Sequence, residues 1–174
     1  MKNLNEFRIP YIGLKNGLHT FLYSIGNSFF TFFENSPVTE GKLSVDVTLD
    51  KRDTLYLLTF TINGTVIVEC DRCGNDLNLA IRTSNVLYVK FEDDNALNDE
   101  DADVLYISRT ESHLDVAQLI YEYIVLAIPI QKIHPDDKDG KSTCDEKVLA
   151  ILNKKEDENK GPDDRWAALN KLKN

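Results

Sequence analysis

Between residues 44 and 50 the chain alternates strictly. Val45, Val47 and Leu49 are apolar, and Ser44, Asp46, Thr48 and Asp50 are polar. Successive side chains of a strand point to opposite faces, so this pattern calls for a sheet with one dry and one wet side. Residues 55–62 are dense in apolar and β-branched types, and 65–69 continue the run beyond Asn63-Gly64. Asn-Gly tolerates positive φ at both positions, so this pair reads as a hairpin turn. Lys15-Asn16-Gly17 reads the same way between two extended segments, 6–14 and 17–25. Residues 77–91 form one long or broken strand, and Leu105-Tyr106-Ile107 returns to strand. Short connections favour antiparallel pairing. The expected class is α+β: a curved antiparallel sheet or partial barrel over residues 5–107, a packed helix and a C-terminal helical segment.

Asp115 opens the clearest helix. Its carboxylate can accept from free backbone N–H groups, and Gln118 completes a capping-box pattern. Val116, Leu119, Ile120, Tyr123 and Ala127 share one face. Pro129 ends the helix, because proline disfavours helical backbone at the residue before it. Ser28-Phe29-Phe30-Thr31-Phe32-Phe33 reads as a short helix or a bend, with several of its rings covered by the domain. Residues 146–152 are a short helix candidate, and 153–161 read as a charged linker. In 162–172, Pro162 suits a first helical position, Asp163 and Asp164 the positive end, and Lys171 and Lys173 the negative end. The expected organisation is an α+β domain over 1–152, a linker over 153–161 and a terminal helix over 162–174. Trp166, Leu169 and Leu172 form that helix's apolar stripe. Arg165, Lys171 and Lys173 border it and can approach phosphate, so Arg165, Trp166, Leu169, Lys171 and Lys173 are the candidate partner-binding residues.

A length of 174 residues fits one domain with a short appendage. Hydrophobic residues make up 42% of the chain, with eight Phe and seven Tyr, which excludes global disorder. No stretch offers the roughly 18 consecutive apolar residues of a membrane span. The most apolar early stretch, 21–33, is broken by Ser24, Gly26, Asn27 and Ser28. A cytoplasmic protein is expected, and three cysteines, an odd number, make a poor disulfide framework. The net charge of −9 repels phosphate at long range. Residues 34–146 carry ten basic and twenty-three acidic groups, against three and one in 1–33 and seven and five in 147–174. Any phosphate contact therefore needs a local patch, for which the two ends are best placed. Residues 92–103 hold seven acidic groups and no basic one. They lack the ligand spacing of an EF-hand and read as a solvated loop.

The sharpest chemical motif is Cys70-Asp71-Arg72-Cys73-Gly74. Two thiolates at this spacing can grip one tetrahedral ion when the chain turns between them, and Gly74 eases that turn. A closed zinc site needs four ligands. His134 and Cys144 are the downstream candidates, with His113 as a spare, so the expected site is Cys70, Cys73, His134 and Cys144, with zinc as cofactor. Two other readings stand beside it. Cys70 can be a buried apolar thiol at a strand end with Cys73 incidental. The pair can also be a redox couple, although a thioredoxin-type motif sits in a βαβ setting and this one follows a hairpin pattern. The chain contains no Gly-rich phosphate loop, no Gly-x-Ser-x-Gly and no His-Glu-x-x-His. His19, in an extended segment, is expected to be a structural hydrogen-bonder. No enzymatic activity is expected.

Several elements taken in order resemble the YceD family, associated with accumulation of the large-subunit ribosomal RNA. They are Gly17-Leu18-His19, Phe29-Phe30, and Gly64-x-Val66-x-Val68-x-Cys70-Asp71-Arg72-Cys73. Tyr121-Glu122-Tyr123-Ile124, Ile128-Pro129-Ile130, His134-Pro135, Cys144 and Asp163-Asp164-Arg165-Trp166-Ala167-Ala168-Leu169 follow. Many relatives carry a second cysteine pair after a Leu-x-x-Pro element. This chain has His134 and Cys144 there, which implies a Cys₃His set. The family's terminal Asp-Pro-Arg motif falls on Asp163 and Arg165, with Asp164 in the proline slot. The resemblance implies a non-enzymatic ribosome-biogenesis factor. Its implied partners are large-subunit ribosomal RNA, a precursor particle or a ribosomal protein, with no membrane and no DNA. A zinc-dependent protein-interaction scaffold without RNA contact and a thiol oxidoreductase using Cys70 and Cys73 are the alternatives.

Overall fold

The computed structural model describes residues 4–91 and 103–158. The described chain runs through β1 (Arg8–Ile9), β2 (Gly17–Ile25), α1 (Asn27–Phe30), β3 (Val38–Lys51), β4 (Tyr56–Glu69), β5 (Asp76–Phe91) and β6 (Val104–Ile107). It continues through β7 (Leu114–Asp115), α2 (Ala117–Leu126) and α3 (Glu146–Glu158). A five-stranded sheet has the order β2-β3-β4-β5-β6, and β1 pairs with β7 in a separate ribbon. The architecture is α+β, as expected, and the sheet does not close into a barrel.

The alternation in β3 sets the register. Val45 faces Ile62, Val47 faces Phe60 and Leu49 faces Leu58, and all six side chains are fully buried. The intervening Ser44, Asp46, Thr48 and Asp50 line the other face. A slip of one residue would turn every apolar side chain to water, so this pairing is strongly specified.

Both Asn-Gly readings are corrected. Asn63 and Gly64 lie inside β4, paired with Ser44 and Leu43, and the strand runs on without a turn. Gly64 has φ 153°, and a Cβ there would overlap the Lys42 carbonyl oxygen and the Leu43 Cα. Close approach of β3 thus explains this glycine. The turn joining β3 to β4 lies at residues 52–55, where the Arg52 N–H donates to the Leu55 carbonyl at 3.2 Å. At the other pair, Gly17 begins β2, which pairs with β3. The segment before it is a loop, in which Lys51 Nζ donates to the carbonyls of Tyr11 at 2.9 Å and Leu14 at 2.7 Å. β1 takes β7 as its partner, with Arg8 opposite Asp115.

The sheet is also mixed. β2, β3 and β4 pair antiparallel in sequence order, but β6 lies parallel to β5, with Tyr88 opposite Val104. Parallel neighbours need a crossover of about a dozen residues. The acidic run supplies that length. Its residues 92–102 lie outside the described residues, and the Asp103 carbonyl accepts from the Tyr88 N–H at 2.8 Å.

α2 starts later than the capping pattern indicates, because Leu114 and Asp115 are taken by β7. Asp115 Oδ1 still accepts from the Ala117 N–H at 3.1 Å. Gln118 bonds Glu122 Oε1 at 2.8 Å and does not close a capping box. Ile120 and Ile124 are fully buried, and Tyr123 packs on Phe60 of β4 with ring centroids 5.0 Å apart. Phe29 and Phe30 are buried and Phe32 is exposed, while Phe33 stacks on Tyr121 at 3.9 Å.

By its internal contacts the chain divides into two compact units. The first comprises residues up to Val68 together with Asn78–Ile130, and holds most of the sheet, the ribbon and α2. The second joins Glu69–Leu77 to the chain from Gln131 onward. In the second, Asp145 Oδ1 accepts from the Lys147 N–H at 2.8 Å and starts α3. This helix runs through Glu158, six residues into the segment read as a linker. Lys and Glu there are good helix formers, with no Gly or Pro before Gly161. The expected terminal helix 162–174 lies outside the described residues.

Candidate metal centre

β4 ends at Glu69, and the chain turns at once. The Cys70 N–H donates to the Asn75 carbonyl at 2.9 Å and the Gly74 N–H to the Cys70 carbonyl at 2.8 Å. Gly74 takes φ 73°, the left-handed region open to glycine. This knuckle folds the peptide N–H groups around the Cys70 sulfur. A second turn forms further along. Asp136 bridges Ser142, the Asp137 N–H donates to the Lys141 carbonyl at 2.8 Å, and Thr143 Oγ1 donates to the Pro135 carbonyl at 2.6 Å. His134 and Cys144 flank this turn, so its closure brings them side by side.

The structure brings the four expected residues together. The Cys70 and Cys144 sulfurs are 3.8 Å apart. His134 Nδ1 lies 3.5 Å from the Cys73 sulfur and 3.8 Å from that of Cys144. All four ligand atoms lie within 4.8 Å of one another. A tetrahedral ion with bonds of about 2.3 Å to sulfur and 2.0–2.1 Å to nitrogen has S–S edges of about 3.8 Å and S–N edges of about 3.6 Å. The Cys70–Cys144, Cys73–His134 and Cys144–His134 separations are close to these edges. They are far longer than a disulfide's S–S bond of about 2.05 Å, and all three cysteines are free.

The surroundings prepare the donors. His134 Nε2 lies 3.1 Å from the Asp76 carbonyl. A carbonyl only accepts, so Nε2 carries the proton and Nδ1 keeps its lone pair toward the sulfurs. This arrangement fixes the tautomer of a metal-ligating histidine. Burial pushes the Cys70 thiol pKa up, but the backbone N–H groups of Cys73, Arg72 and His134 outweigh it and lower the value to about 6. Burial pulls His134 down, while the Cys70 sulfur and the Asp76 carbonyl raise it, and the net direction is up. Burial raises Cys144, with the neighbouring sulfurs adding to that. Thiolate character is thus centred on Cys70, which suits a metal ligand.

Sequence reasoning missed the residues that tie the two turns together. Asp71 Oδ2 accepts from the Lys132 N–H at 2.7 Å, its Oδ1 pairs with Lys132 Nζ at 2.9 Å, and its own N–H donates to the Lys132 carbonyl at 2.7 Å. Lys132, with its side chain foremost, holds the Asp71 carboxyl below its usual range. Arg72 Nη1 donates to Ser142 Oγ at 2.9 Å. The only cue in the sequence is that two charged residues separate the cysteines. His113 is not among the convergent residues, and its Nδ1 bonds Ser112 Oγ at 2.7 Å. His19 bonds the Lys15 carbonyl at 2.8 Å, as a structural residue would. Arg165, Trp166, Leu169, Lys171 and Lys173 lie outside the described residues.

The described residues thus form an α+β fold in which a strand-end Cys-x-x-Cys knuckle closes against a histidine and a cysteine on a later turn. The family comparison is more specific. The model described as "Large ribosomal RNA subunit accumulation protein YceD" matches residues 58–173, and the chain belongs to the YceD family. No curated protein and no solved structure matches the chain. The family's description names an accumulation factor and not an enzyme. Among the described residues, no helix is long and apolar enough to cross a membrane.

Proposed function

We propose that this chain is a cytoplasmic, non-enzymatic factor that promotes accumulation of large-subunit ribosomal RNA, and that Cys70, Cys73, His134 and Cys144 hold one structural zinc ion. The observation that carries the zinc reading is the convergence of four donors within 4.8 Å of one another, three of them sulfur, the set that zinc favours in structural sites. Four protein ligands leave no open position for substrate, so the site braces a fold and performs no hydrolysis. Thiolates held by a metal are closed to redox cycling, which counts against the oxidoreductase reading. The ribosomal role is supported by family membership. With a net charge of −9, the chain does not coat RNA by general electrostatics. Its partner is a precursor particle or a ribosomal protein, met by Arg165, Trp166, Leu169, Lys171 and Lys173.

Depletion and complementation test this. Loss of the protein lowers large-subunit RNA relative to small-subunit RNA. The wild-type chain restores it, while Cys144→Ser and a chain lacking residues 159–174 do not. Elemental analysis of protein purified without chelator finds about one zinc per chain. Unchanged large-subunit RNA on depletion sinks the ribosomal role. A metal-free wild-type protein sinks the zinc site.

A further inference from the structure

We propose that Asp71 and Arg72, the two residues between Cys70 and Cys73, are positioning residues that latch the His134–Cys144 turn onto the knuckle before any metal binds. The inference rests on reading the four donors as a metal site. The two side chains reach opposite ends of the same turn. Asp71 spends both carboxylate oxygens on Lys132, two residues before His134. A backbone bond from the Asp71 N–H to the Lys132 carbonyl adds a third tie at 2.7 Å. Arg72 reaches Ser142, two residues before Cys144, and Ser142 Oγ also accepts from the Cys144 N–H at 3.3 Å. Each later ligand is therefore tied to the knuckle two positions upstream of itself.

The chemistry gives the latch its purpose. Cys73 and His134 are 61 positions apart, and an ion joining loose segments must meet the full entropy of ordering them. Polar ties that already hold the turn reduce that cost and raise affinity, as preorganisation does elsewhere. The side chains of Asp71 and Lys132 are 40% and 25% exposed, so solvent weakens their ion pair. The stronger element is the charge-assisted bond from the Lys132 N–H to the carboxylate. This ranks the variants. Asp71→Ala removes every side-chain tie to Lys132. Asp71→Asn keeps an acceptor for the N–H and loses the charge. Arg72→Ala frees only the Cys144 end.

The test uses the full-length protein, with zinc affinity measured by chelator competition and the ligand field read from cobalt absorption. Asp71→Ala weakens zinc binding by about 10–100-fold, the range of outer-sphere partners. Asp71→Asn and Arg72→Ala lose less, and the cobalt spectrum keeps its three-sulfur character in all three. In metal-free wild type the Lys132 amide is protected from hydrogen exchange, and in metal-free Asp71→Ala it is not. Wild-type affinity in Asp71→Ala overturns the proposal, as does an unprotected Lys132 amide in metal-free wild type. A wild-type protein that binds neither zinc nor cobalt overturns the metal reading and the positioning role together. That outcome is distinct from failure of the latch alone, in which wild type and Asp71→Ala bind metal equally.

Discussion

In the sheet-bearing unit, Val45, Val47, Leu49, Leu58, Phe60, Ile62, Val66 and Val68 on β3 and β4 are all fully buried. In the cysteine-bearing unit, the buried members among the described residues are Cys70, Leu77 and Cys144. Burying a large apolar side chain contributes about 1.5–3 kcal/mol, and ordering one residue's backbone costs about 1–2 kcal/mol. The first unit can meet its ordering cost from its own core. Among its described residues the second has little such core, because two of the three buried side chains are thiols. Small units of this kind need a staple, and a metal is one of the few available. On the proposed zinc reading the cysteines stand in the place of a core, and an ion held by them would do the work that Phe60 and its neighbours do in the sheet.

The largest expected effect comes from removing that staple. Structural zinc contributes on the order of 10 kcal/mol to small domains. A chelator, or Cys144→Ser, should sharply lower amide protection over residues 134–145 while leaving β3, β4 and the Lys132 amide bonded to Asp71 protected. Hydrogen exchange read by mass spectrometry checks this, and equal loss in both units would break the contrast. Phe60→Ala addresses the other side. It should cost the sheet about 3–5 kcal/mol by denaturant unfolding and leave metal content unchanged.

Gly64→Ala should cost about 1–3 kcal/mol. It places a Cβ against Lys42 and Leu43 at a φ of 153°. The loss should appear in the sheet's unfolding transition alone. The smallest effect concerns Tyr23. Its pKa is raised from 10.0 to about 12, first by burial and then by the Asp115 charge. A raised folded pKa means its contribution is fully present below pH 10 and declines as pH rises through about 12. Tyr23→Phe should flatten this part of the alkaline unfolding curve and leave stability at pH 7 nearly unchanged.

Local sequence determined what local physics can encode. The alternation from Ser44 to Asp50 specified one buried face, since side-chain direction follows from the backbone's period of two. The helix before Pro129 and the turn-forming Cys70–Gly74 knuckle were legible for the same reason. The four donors could be named because few residue types bind a soft tetrahedral ion. Tertiary structure alone decided which distant segments meet. Gly64 carries the same Asn-Gly signal as a turn, but the approach of β3 keeps it in a strand. β1 pairs with β7 and not with its sequence neighbour β2, and the loop between β1 and β2 bonds Lys51 through the Tyr11 and Leu14 carbonyls. β6 joins β5 in parallel, an option that the length of the acidic crossover permits and composition does not reveal. The convergence of His134 and Cys144 on Cys70 and Cys73 depends on Asp71 reaching Lys132 and Arg72 reaching Ser142. Propensity and period are properties of neighbouring residues, whereas these pairings are choices among many distant partners, settled only when the whole chain packs.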